Sequence, residues 1–186
     1  METKSRCAWC QSSELYKEYH DQEWGTPVYD DATLFEFLIL ETFQAGLSWI
    51  TILNKRENFR TAFDQFDYKI IATYTEEKVQ ELLQDAGIIR NKLKVRSAVS
   101  NAIAFMKVQQ EFGSFSKYIW KFTDEKPLIN NPKTLKDVPA TTPLSDKISK
   151  DLKKRGFKFV GSTVMYAFMQ ATGIVNDHVE SCWKRS

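Results

Sequence analysis

The sequence has few cysteines and histidines and no long apolar run. Its 186 residues include three cysteines and two histidines. An odd number of cysteines argues against a disulfide framework, so metal ligation or burial explains them better. No stretch reaches the roughly 18 apolar residues of a membrane span, and the start METKSRCAWC lacks the apolar segment of a signal peptide. We therefore expect a cytoplasmic protein that does not contact a membrane.

A strong excess of one charge is also absent. The 26 basic and 24 acidic residues leave a net charge of +2. Such a balance neither demands nor excludes a polyanionic partner, so the location of the charges matters more than their sum. The hydrophobic content of 42% is enough to bury a sizeable core in one domain.

Helical spacing of apolar residues dominates the first two thirds of the chain. The run DATLFEFLILETFQAGLSWITILNKRENFRTAF, residues 31–63, predicts two helices that meet at a tight turn near Ala45 and Gly46. Thr75 before two glutamates predicts a helix start, and Gly87 predicts its end. A further helix is predicted from about Asn91 to the next glycine.

The last third predicts one irregular connection and one pair of helices. The stretch DEKPLINNPKTLKDVPATTP, residues 124–143, predicts a long connection with at most a short helical turn. After it, the segments 144–156 and 162–173 predict two helices around the turn RGFKFVGS, residues 155–162. No segment alternates as a strand would, so we predict an all-α fold.

Metal-ligand residue types occur near both ends of the chain. Cys7 and His20 lie near the start, and His178 and Cys182 lie in the closing VNDHVESCWKRS. Thiolates and imidazoles are the ligands that tetrahedral zinc prefers, and four protein ligands leave no open position, as in a structural site. Cys10 forms a shorter pair with Cys7 and is an alternative ligand. Burial without any metal explains the same spacing.

Glu41 stands out within the apolar segment FLILETFQAGLSW. An ionised carboxylate is costly there unless it has hydrogen-bond partners. A buried acid among aromatic residues is a candidate site. Two alternatives remain open from the sequence, namely that Glu41 lies on the exposed side of its helix or pairs with a core arginine.

A basic turn follows the first helix of the C-terminal pair, in the segment DLKKRGFKFVGS. Backbone N–H groups at the start of the second helix can face a phosphate, with Lys153, Lys154, Arg155 and Lys158 as counter-charges. The alternative is a solvated basic helix end, which is the commoner meaning of such a pattern.

Five segments resemble those of the bacterial 3-methyladenine DNA glycosylase I family. They are YHDQEWG at 19–25, QAGLSWITILNKRENFR at 44–60, DAGIIRNK at 85–92, KKRGFKFVG at 153–161 and GIVNDHV at 173–179. They occur in the family's order over nearly the whole chain. The resemblance implies an all-α helix-hairpin-helix glycosylase fold and a monomeric DNA repair enzyme. It further implies that 3-methyladenine is excised from alkylated double-stranded DNA, releasing the free base and leaving an abasic site.

The resemblance implies one structural Zn²⁺ ion. Its ligands fall on Cys7, His20, His178 and Cys182, which leaves Cys10 as a spare cysteine. The chain would then be one unit of residues 1–186. A zinc-clipped terminal region, about 1–30 and 165–186, would adjoin a helical core of about 31–164, with the hairpin at 155–162.

The resemblance also implies a base pocket. The base-recognition acid falls on Glu41, with Tyr19 as a polar partner and Trp49 as the stacking surface. Trp9 and Tyr16 would form further walls of this pocket. Glu41 and Tyr19 are therefore the predicted catalytic residues.

Two turns are implied as DNA contacts. In the hairpin RGFKFVGS the contacts fall on Gly156, Lys158, Val160 and Gly161. In the turn QAGL, Gly46 and Leu47 would probe the gap that a flipped base leaves in the duplex.

Some positions depart from the family or from its relatives. Phe43 stands where a polar residue is more usual, and the chain ends soon after Cys182. Asp177 lies roughly where related glycosylases keep a catalytic aspartate, but it directly precedes His178, so we assign it no catalytic role. The lysine that bifunctional relatives carry after the hairpin is missing, so no lyase step is expected.

Two other functions remain as alternatives. One is a non-enzymatic helical module that binds DNA or a protein through the basic hairpin and uses zinc only as a clip. The other is a glycosylase with a broader range that includes 7-methylguanine. Release of free 3-methyladenine from alkylated DNA distinguishes the enzyme from the binding module.

Overall fold

Helices form most of the computed structural model, which describes residues 4–185. Residues 1–3 and 186 lie outside that range. They belong to the predicted unit of 1–186, and residues 1–3 also belong to the start METKSRCAWC. The described chain forms α1 (Glu14–Gln22), α2 (Asp31–Gln44), α3 (Trp49–Leu53), α4 (Arg56–Ala62), α5 (Tyr68–Ile71), α6 (Glu76–Leu82), α7 (Lys92–Phe112), α8 (Phe115–Trp120), α9 (Pro143–Lys154), α10 (Ser162–Ala171), β1 (Leu128–Ile129) and β2 (Val175–Asn176). Short 3-10 turns cover Ala8–Cys10, Asp64–Phe66, Lys121–Thr123 and Leu135–Asp137. None of the described helices combines the length and apolar character of a membrane span.

Helix α2 lies at the centre of the core. Its first turn is capped by Asp30, whose side chain accepts a hydrogen bond from the Thr33 amide at 2.8 Å. Every residue from 34 to 43 except Glu36 is buried. A helix that is apolar on all sides needs partners on all sides. Helices α7, α8 and α10 pack against it, together with α3.

Helix α7 confirms the helix predicted from Asn91 to a glycine. The Asn91 side chain accepts hydrogen bonds from two amides of the first turn, and Gly113 ends the helix with φ of +86°. Its buried face includes Val95, Ala98, Ala102 and Phe105. Leu93 and Ile103, which belong to the apolar spacing that predicts the helix, are instead exposed.

The second helix predicted within residues 31–63 is divided into α3 and α4. The chain leaves helical geometry at Lys55, whose φ and ψ are −104° and 0°. This break turns the buried Arg56 towards α1 and α2, where it forms ion pairs with Glu23 and Glu36. A continuous helix would carry that guanidinium in another direction.

Helix α6 starts after Thr75 as predicted but ends at Leu82, before the predicted end at Gly87. Gly87 lies in a turn in which its amide donates to Asp85 Oδ1 at 2.7 Å. A Cβ atom at this position would lie 2.9 Å from the same oxygen. The glycine therefore serves this tight turn and not the end of the helix.

The predicted long connection after α8 contains a strand, and the expectation of no strands is wrong for four residues. β1 pairs with β2 in parallel, with Leu128 opposite Val175 and Ile129 opposite Asn176. The rest of the connection is irregular apart from the short turn Leu135–Asp137, as predicted. The pairing attaches this connection to the C-terminal segment.

The two ends of the described chain lie side by side. The Trp183 amide donates to the Ser5 carbonyl oxygen at 2.8 Å. Arg6 forms an ion pair with Asp21 on α1 at 2.7 Å, and the Trp183 indole donates to the same carboxylate at 3.3 Å. The end of the chain thus packs on its beginning, next to α1.

Candidate functional site

A cavity of about 280 Å³ opens between α1, the end of α2, α3 and α10. The turn Leu135–Asp137 and the residues that follow it form a further wall. All five predicted pocket residues line this cavity: Trp9, Tyr16, Tyr19, Glu41 and Trp49. A mostly apolar cleft with a few polar groups suits a small planar ligand.

Glu41 is the acidic group of this cavity and is only 3% exposed. Neither alternative for Glu41 holds, because it is buried and because the buried Arg56 pairs with Glu23 and Glu36. Its Oε2 atom is buried without a hydrogen-bond partner in the described chain. Burial raises the pKa of Glu41 to about 8. At neutral pH burial therefore favours the protonated acid.

The buried acid predicts a pH-dependent cost to stability. Its pKa is about 8 in the folded protein and about 4.5 when unfolded, so folding is favoured below pH 4.5 and loses free energy as pH rises through 8. The full difference corresponds to roughly 5 kcal/mol. We expect Glu41→Gln to gain stability relative to the wild type between pH 5 and 9 in urea unfolding. Parallel stability curves for the two proteins would contradict the raised pKa.

Aromatic rings enclose Glu41. The ring centroids of Tyr19 and Trp49 are 5.4 Å apart, and those of Trp9 and Tyr16 are 4.8 Å apart. The Trp49 Nε1 atom is buried and has no hydrogen-bond partner among the described residues. Burial, with Glu41 nearby, raises the pKa of Tyr19, so this hydroxyl stays protonated and can donate.

Several cavity residues are absent from the predicted set. They are Trp24, Gln44, Leu135, Val138, Pro139, Ala140, Thr163, Tyr166, Ala167 and Gln170. Those on α10 recur every three or four residues, so helical spacing could have assigned them to one face. The residues between 135 and 140 carry no such signal, because only tertiary packing brings their loop to the cavity.

A buried group of three residues of metal-ligand type lies beside α1. One ligand atom each from Cys7, His20 and Cys182 lie within 4.8 Å of one another. His20 Nε2 is 3.4 Å from Cys182 Sγ, and His20 Nδ1 is 2.9 Å from a carboxylate oxygen of Asp21. A carboxylate on the second ring nitrogen is typical of a metal-bound histidine, because it fixes the tautomer. These three residues could hold a metal ion.

The other two candidate ligands lie outside this group of three. The His178 ring centroid is 5.0 Å from that of His20, and His178 Nε2 is buried without a partner in the described chain. Asn176 Oδ1 accepts from His178 Nδ1 at 2.8 Å, which leaves Nε2 as the unprotonated nitrogen. The Cys10 thiol donates to the Cys7 carbonyl oxygen at 3.1 Å.

The surroundings favour the uncharged forms of these groups. Burial, with Cys182 nearby, raises the pKa of Cys7 to about 12. Burial, with His20 nearby, lowers the pKa of His178 to about 3. A divalent cation binds neutral imidazole and thiolate. It would find His178 already in the neutral form, but it would have to displace the thiol proton of Cys7.

Helices α9 and α10 form the predicted pair around a hairpin at residues 155–162. Asn101 on α7 holds the hairpin from inside, since its side chain accepts from the Lys158 amide at 2.8 Å and donates to the Lys158 carbonyl at 3.1 Å. Ser149 donates to the Val160 carbonyl at 2.7 Å. Val160 is fully buried, whereas Gly156 and Lys158 are exposed and Gly161 is half-buried. Val160 is therefore a core residue of the hairpin, and its burial does not suit the DNA contact predicted for it.

The turn between α2 and α3 is exposed. Gly46 has φ of +84°, which favours glycine, and Leu47 is 41% exposed. The turn follows Glu41 by one helical turn, so the apolar tip and the buried acid belong to the same end of α2.

Comparison with known proteins places this arrangement in one family. The family model described as methyladenine glycosylase matches residues 9–185. DNA-3-methyladenine glycosylase 1 of Escherichia coli (strain K12) is 50% identical over 177 residues, covering 95% of both chains. The DNA-3-methyladenine glycosylase of Haemophilus influenzae is 46% identical over 178 residues, covering 96% of both chains. The chain belongs to the methyladenine glycosylase family.

A solved structure has the same fold as this chain. It is 3-methyladenine DNA glycosylase I from Staphylococcus aureus, described for its recognition of 3-methyladenine. The TM-score is 0.95 at 34% identity, covering 100% of this chain and 98% of that chain. The predicted family and the mostly helical fold are thus confirmed.

Asp177 is buried, and its carboxylate is fully hydrogen-bonded. Its carboxylate accepts from the Tyr166 hydroxyl at 2.6 Å, from Asn130 at 2.7 Å and from Gln170 at 2.8 Å. Tyr166 and Gln170 are cavity residues, so Asp177 supports that wall from behind.

Phe43, where the sequence departs from the family, is a core position, and its ring packs against that of Phe59.

Proposed function

We propose that the protein excises 3-methyladenine from alkylated double-stranded DNA by hydrolysing the N-glycosidic bond. The observation that carries this proposal is the buried carboxyl of Glu41, whose Oε2 has no hydrogen-bond partner in the described chain, inside an aromatic cavity of about 280 Å³. A glycosylase must flip the nucleotide out of the duplex and hold the base in such a pocket. Membership of the methyladenine glycosylase family supports the choice of base.

The chemistry needs a pocket more than a general acid. Methylation at N3 gives adenine in DNA a delocalised positive charge, which already makes it a good leaving group. The C1′–N9 bond breaks with its electron pair passing to the base, which leaves neutral. A water oxygen bonds to C1′ and loses its proton. The attacking group is water and no lysine takes part, so the product is an abasic site without strand cleavage.

Glu41 is proposed to recognise the charged base. A cation beside the buried carboxyl favours its ionised form, so substrate binding at neutral pH is coupled to release of a proton from Glu41. The carboxylate then accepts hydrogen bonds from adenine N–H groups, and the Tyr19 hydroxyl donates a further one. Stacking on Trp49 adds a cation–π attraction of about 0.5 to 2 kcal/mol for the charged base. Trp9 and Tyr16 complete the walls.

The hairpin at residues 155–162 is proposed to bind the DNA backbone, as in helix-hairpin-helix proteins. Its amides precede α10, whose N-terminal end attracts a phosphate, and Lys158 adds positive charge. The exposed Leu47 and Gly46 are proposed to fill the gap left by the flipped base. These two turns, together with the cavity, support the proposal of a duplex substrate.

Gly161→Ala tests the backbone contact at the hairpin. A Cβ atom there meets no atom within 4 Å, and its φ of −62° suits any residue, so the fold tolerates alanine. The added methyl group would clash with a phosphate bound close to the amides. We therefore expect affinity for methylated duplex to fall about tenfold. Fluorescence anisotropy measures this, with the thermal midpoint and free 3-methyladenine affinity as controls. Unchanged DNA affinity would remove Gly161 from the interface.

The terminal region is proposed to be held by one structural Zn²⁺ ion. Cys7, His20 and Cys182 form the buried group, and His178 adds a buried Nε2 with no partner in the described chain, so the donor types of these four residues suit a tetrahedral zinc site. We infer that the ion joins residues of about 1–30 and 165–186 and stabilises α1, which carries Tyr19. It supplies structural cohesion and no step of the hydrolysis is assigned to it.

Base release is the decisive experiment. The protein is incubated with duplex DNA treated with a methylating agent, and the free bases are separated and quantified. We expect release of 3-methyladenine with 7-methylguanine retained in the DNA. Release of both would support the broader glycosylase, and DNA binding without release of either would support a non-enzymatic module.

A further inference from the structure

Lys94 is a buried lysine that lies outside the proposed base pocket. It belongs to the first turn of α7 and is 6% exposed. Its ammonium group donates to the Phe43 carbonyl at 2.8 Å and to the Ala45 carbonyl at 2.7 Å. Burying a lysine is unfavourable without such partners, so these two contacts account for its position.

The two acceptors are the end of helix α2. The last carbonyls of a helix have no partner within the helix and carry the negative end of its dipole. α2 ends at Gln44, and Ala45 is its C-cap, with φ and ψ of −45° and 114°. A cation from a neighbouring helix therefore fixes where α2 stops and where the next peptide points.

The next peptides form the turn that carries Gly46 and Leu47. Gly46 meets no atom within 4 Å at its Cβ position, and Leu47 is 41% exposed, so side-chain packing does little to hold the turn. Its backbone is held by the Leu47 amide, which donates to the Gln44 carbonyl, and by Lys94. The raised pKa of Glu41 arises from burial, without a contribution from the Lys94 charge.

We propose that Lys94 is a positioning residue, which holds the turn at residues 45–47 in the orientation that lets Leu47 enter the duplex. This inference rests on the proposed function, because it concerns how a glycosylase of this chain opens DNA. Lys94 touches neither the base cavity nor the hairpin, so its effect passes through the turn.

Lys94→Met removes the donor and keeps a long apolar side chain in the same space. Misplacing an inserted side chain by about 1 Å can cost 10- to 100-fold in rate, and we expect a loss of that size in single-turnover excision from methylated duplex. Affinity for free 3-methyladenine should stay within about twofold, because the pocket is intact. Lys107→Met is the matched control, since Lys107 is an exposed lysine of the same helix; it should behave as wild type.

A double-mutant cycle with Leu47→Ala separates positioning from general damage. If Lys94 acts through Leu47, the double variant loses about as much as the more damaging single variant. The proposal is overturned if the fold losses in excision rate of the two single variants multiply in the double variant. It is also overturned if Leu47→Ala leaves excision unchanged, or if Lys94→Met loses affinity for the free base in parallel.

Hydrogen exchange provides a measurement that does not depend on catalysis. Lys94→Met should speed exchange at the Leu47 amide while the amides of α7 stay protected; unchanged exchange at Leu47 overturns the role of Lys94. If Lys94→Met does not fold, Lys94→Gln keeps one donor and is measured in its place. Wild-type base release tests the proposed function separately, so failure of that function and failure of the Lys94 role give different results.

Discussion

Glu41→Gln is expected to leave the protein folded and to lower single-turnover excision of 3-methyladenine by about 100- to 1,000-fold. The amide offers one acceptor where the carboxylate offers two, and it carries no negative charge to face the cationic base. In the buried cavity that charge is poorly screened by solvent, so its loss weakens the hold on the flipped, positively charged base from which excision starts. The measurement is quenched-flow base release with enzyme in excess.

The control for this prediction is Glu77→Gln, an exposed glutamate at the start of α6. It removes the same charge from the surface and should keep the wild-type excision rate. Circular dichroism should show native folding for both variants. An unchanged rate in Glu41→Gln would remove Glu41 from the mechanism.

Loss of the proposed metal site is expected to have the second large effect, on stability. His178→Ala removes one of the four proposed ligands, and we expect the zinc content to fall from about one per chain to near zero. Unfolding free energy should fall by several kcal/mol, because a metal bound only by the folded state stabilises it. Elemental analysis and thermal unfolding check both results.

Cys10→Ser is the matched control for the metal prediction. Cys10 is buried beside Cys7, but its thiol donates to a backbone carbonyl and lies outside the group of three. The variant should keep its zinc. Absence of zinc from purified wild-type protein, or zinc loss in Cys10→Ser as complete as in His178→Ala, contradicts the proposed ligand set.

Helical spacing and cap residues predicted most of the helices, because they depend on neighbours in sequence. Asn91 and Gly113 bound α7 through local hydrogen bonds and a left-handed C-cap, both readable from the residues. The division between α3 and α4 was not readable. Arg56, directly after the break, pairs with Glu23 and Glu36, which lie more than 19 residues away in the sequence and leave no local signal.

The candidate site was predicted unevenly for the same reason. The sequence could mark Glu41 as an acid in an apolar helix. Whether Glu41 is exposed depends on how α2 packs, and whether it is paired depends on which acids bind Arg56. The cavity wall at Leu135 and Pro139 lies in a stretch with no periodicity. Its place is fixed by β1 and β2, whose two-residue pairing is too short to leave an alternation pattern.

The contacts between the two ends of the described chain also constrain when the site can form during synthesis. The Ser5 contact cannot form before Trp183 has been made, and Cys7 and His20 cannot meet Cys182 before that residue has been made. These contacts join opposite ends of the described chain. A ribosome makes the N-terminal partners first, and domains of this kind complete long-range contacts last. Because α1 and α10 both line the cavity, a nascent chain that lacks its last helix has no complete pocket. Base excision is thereby withheld until α10 has left the ribosome and packed beside α1.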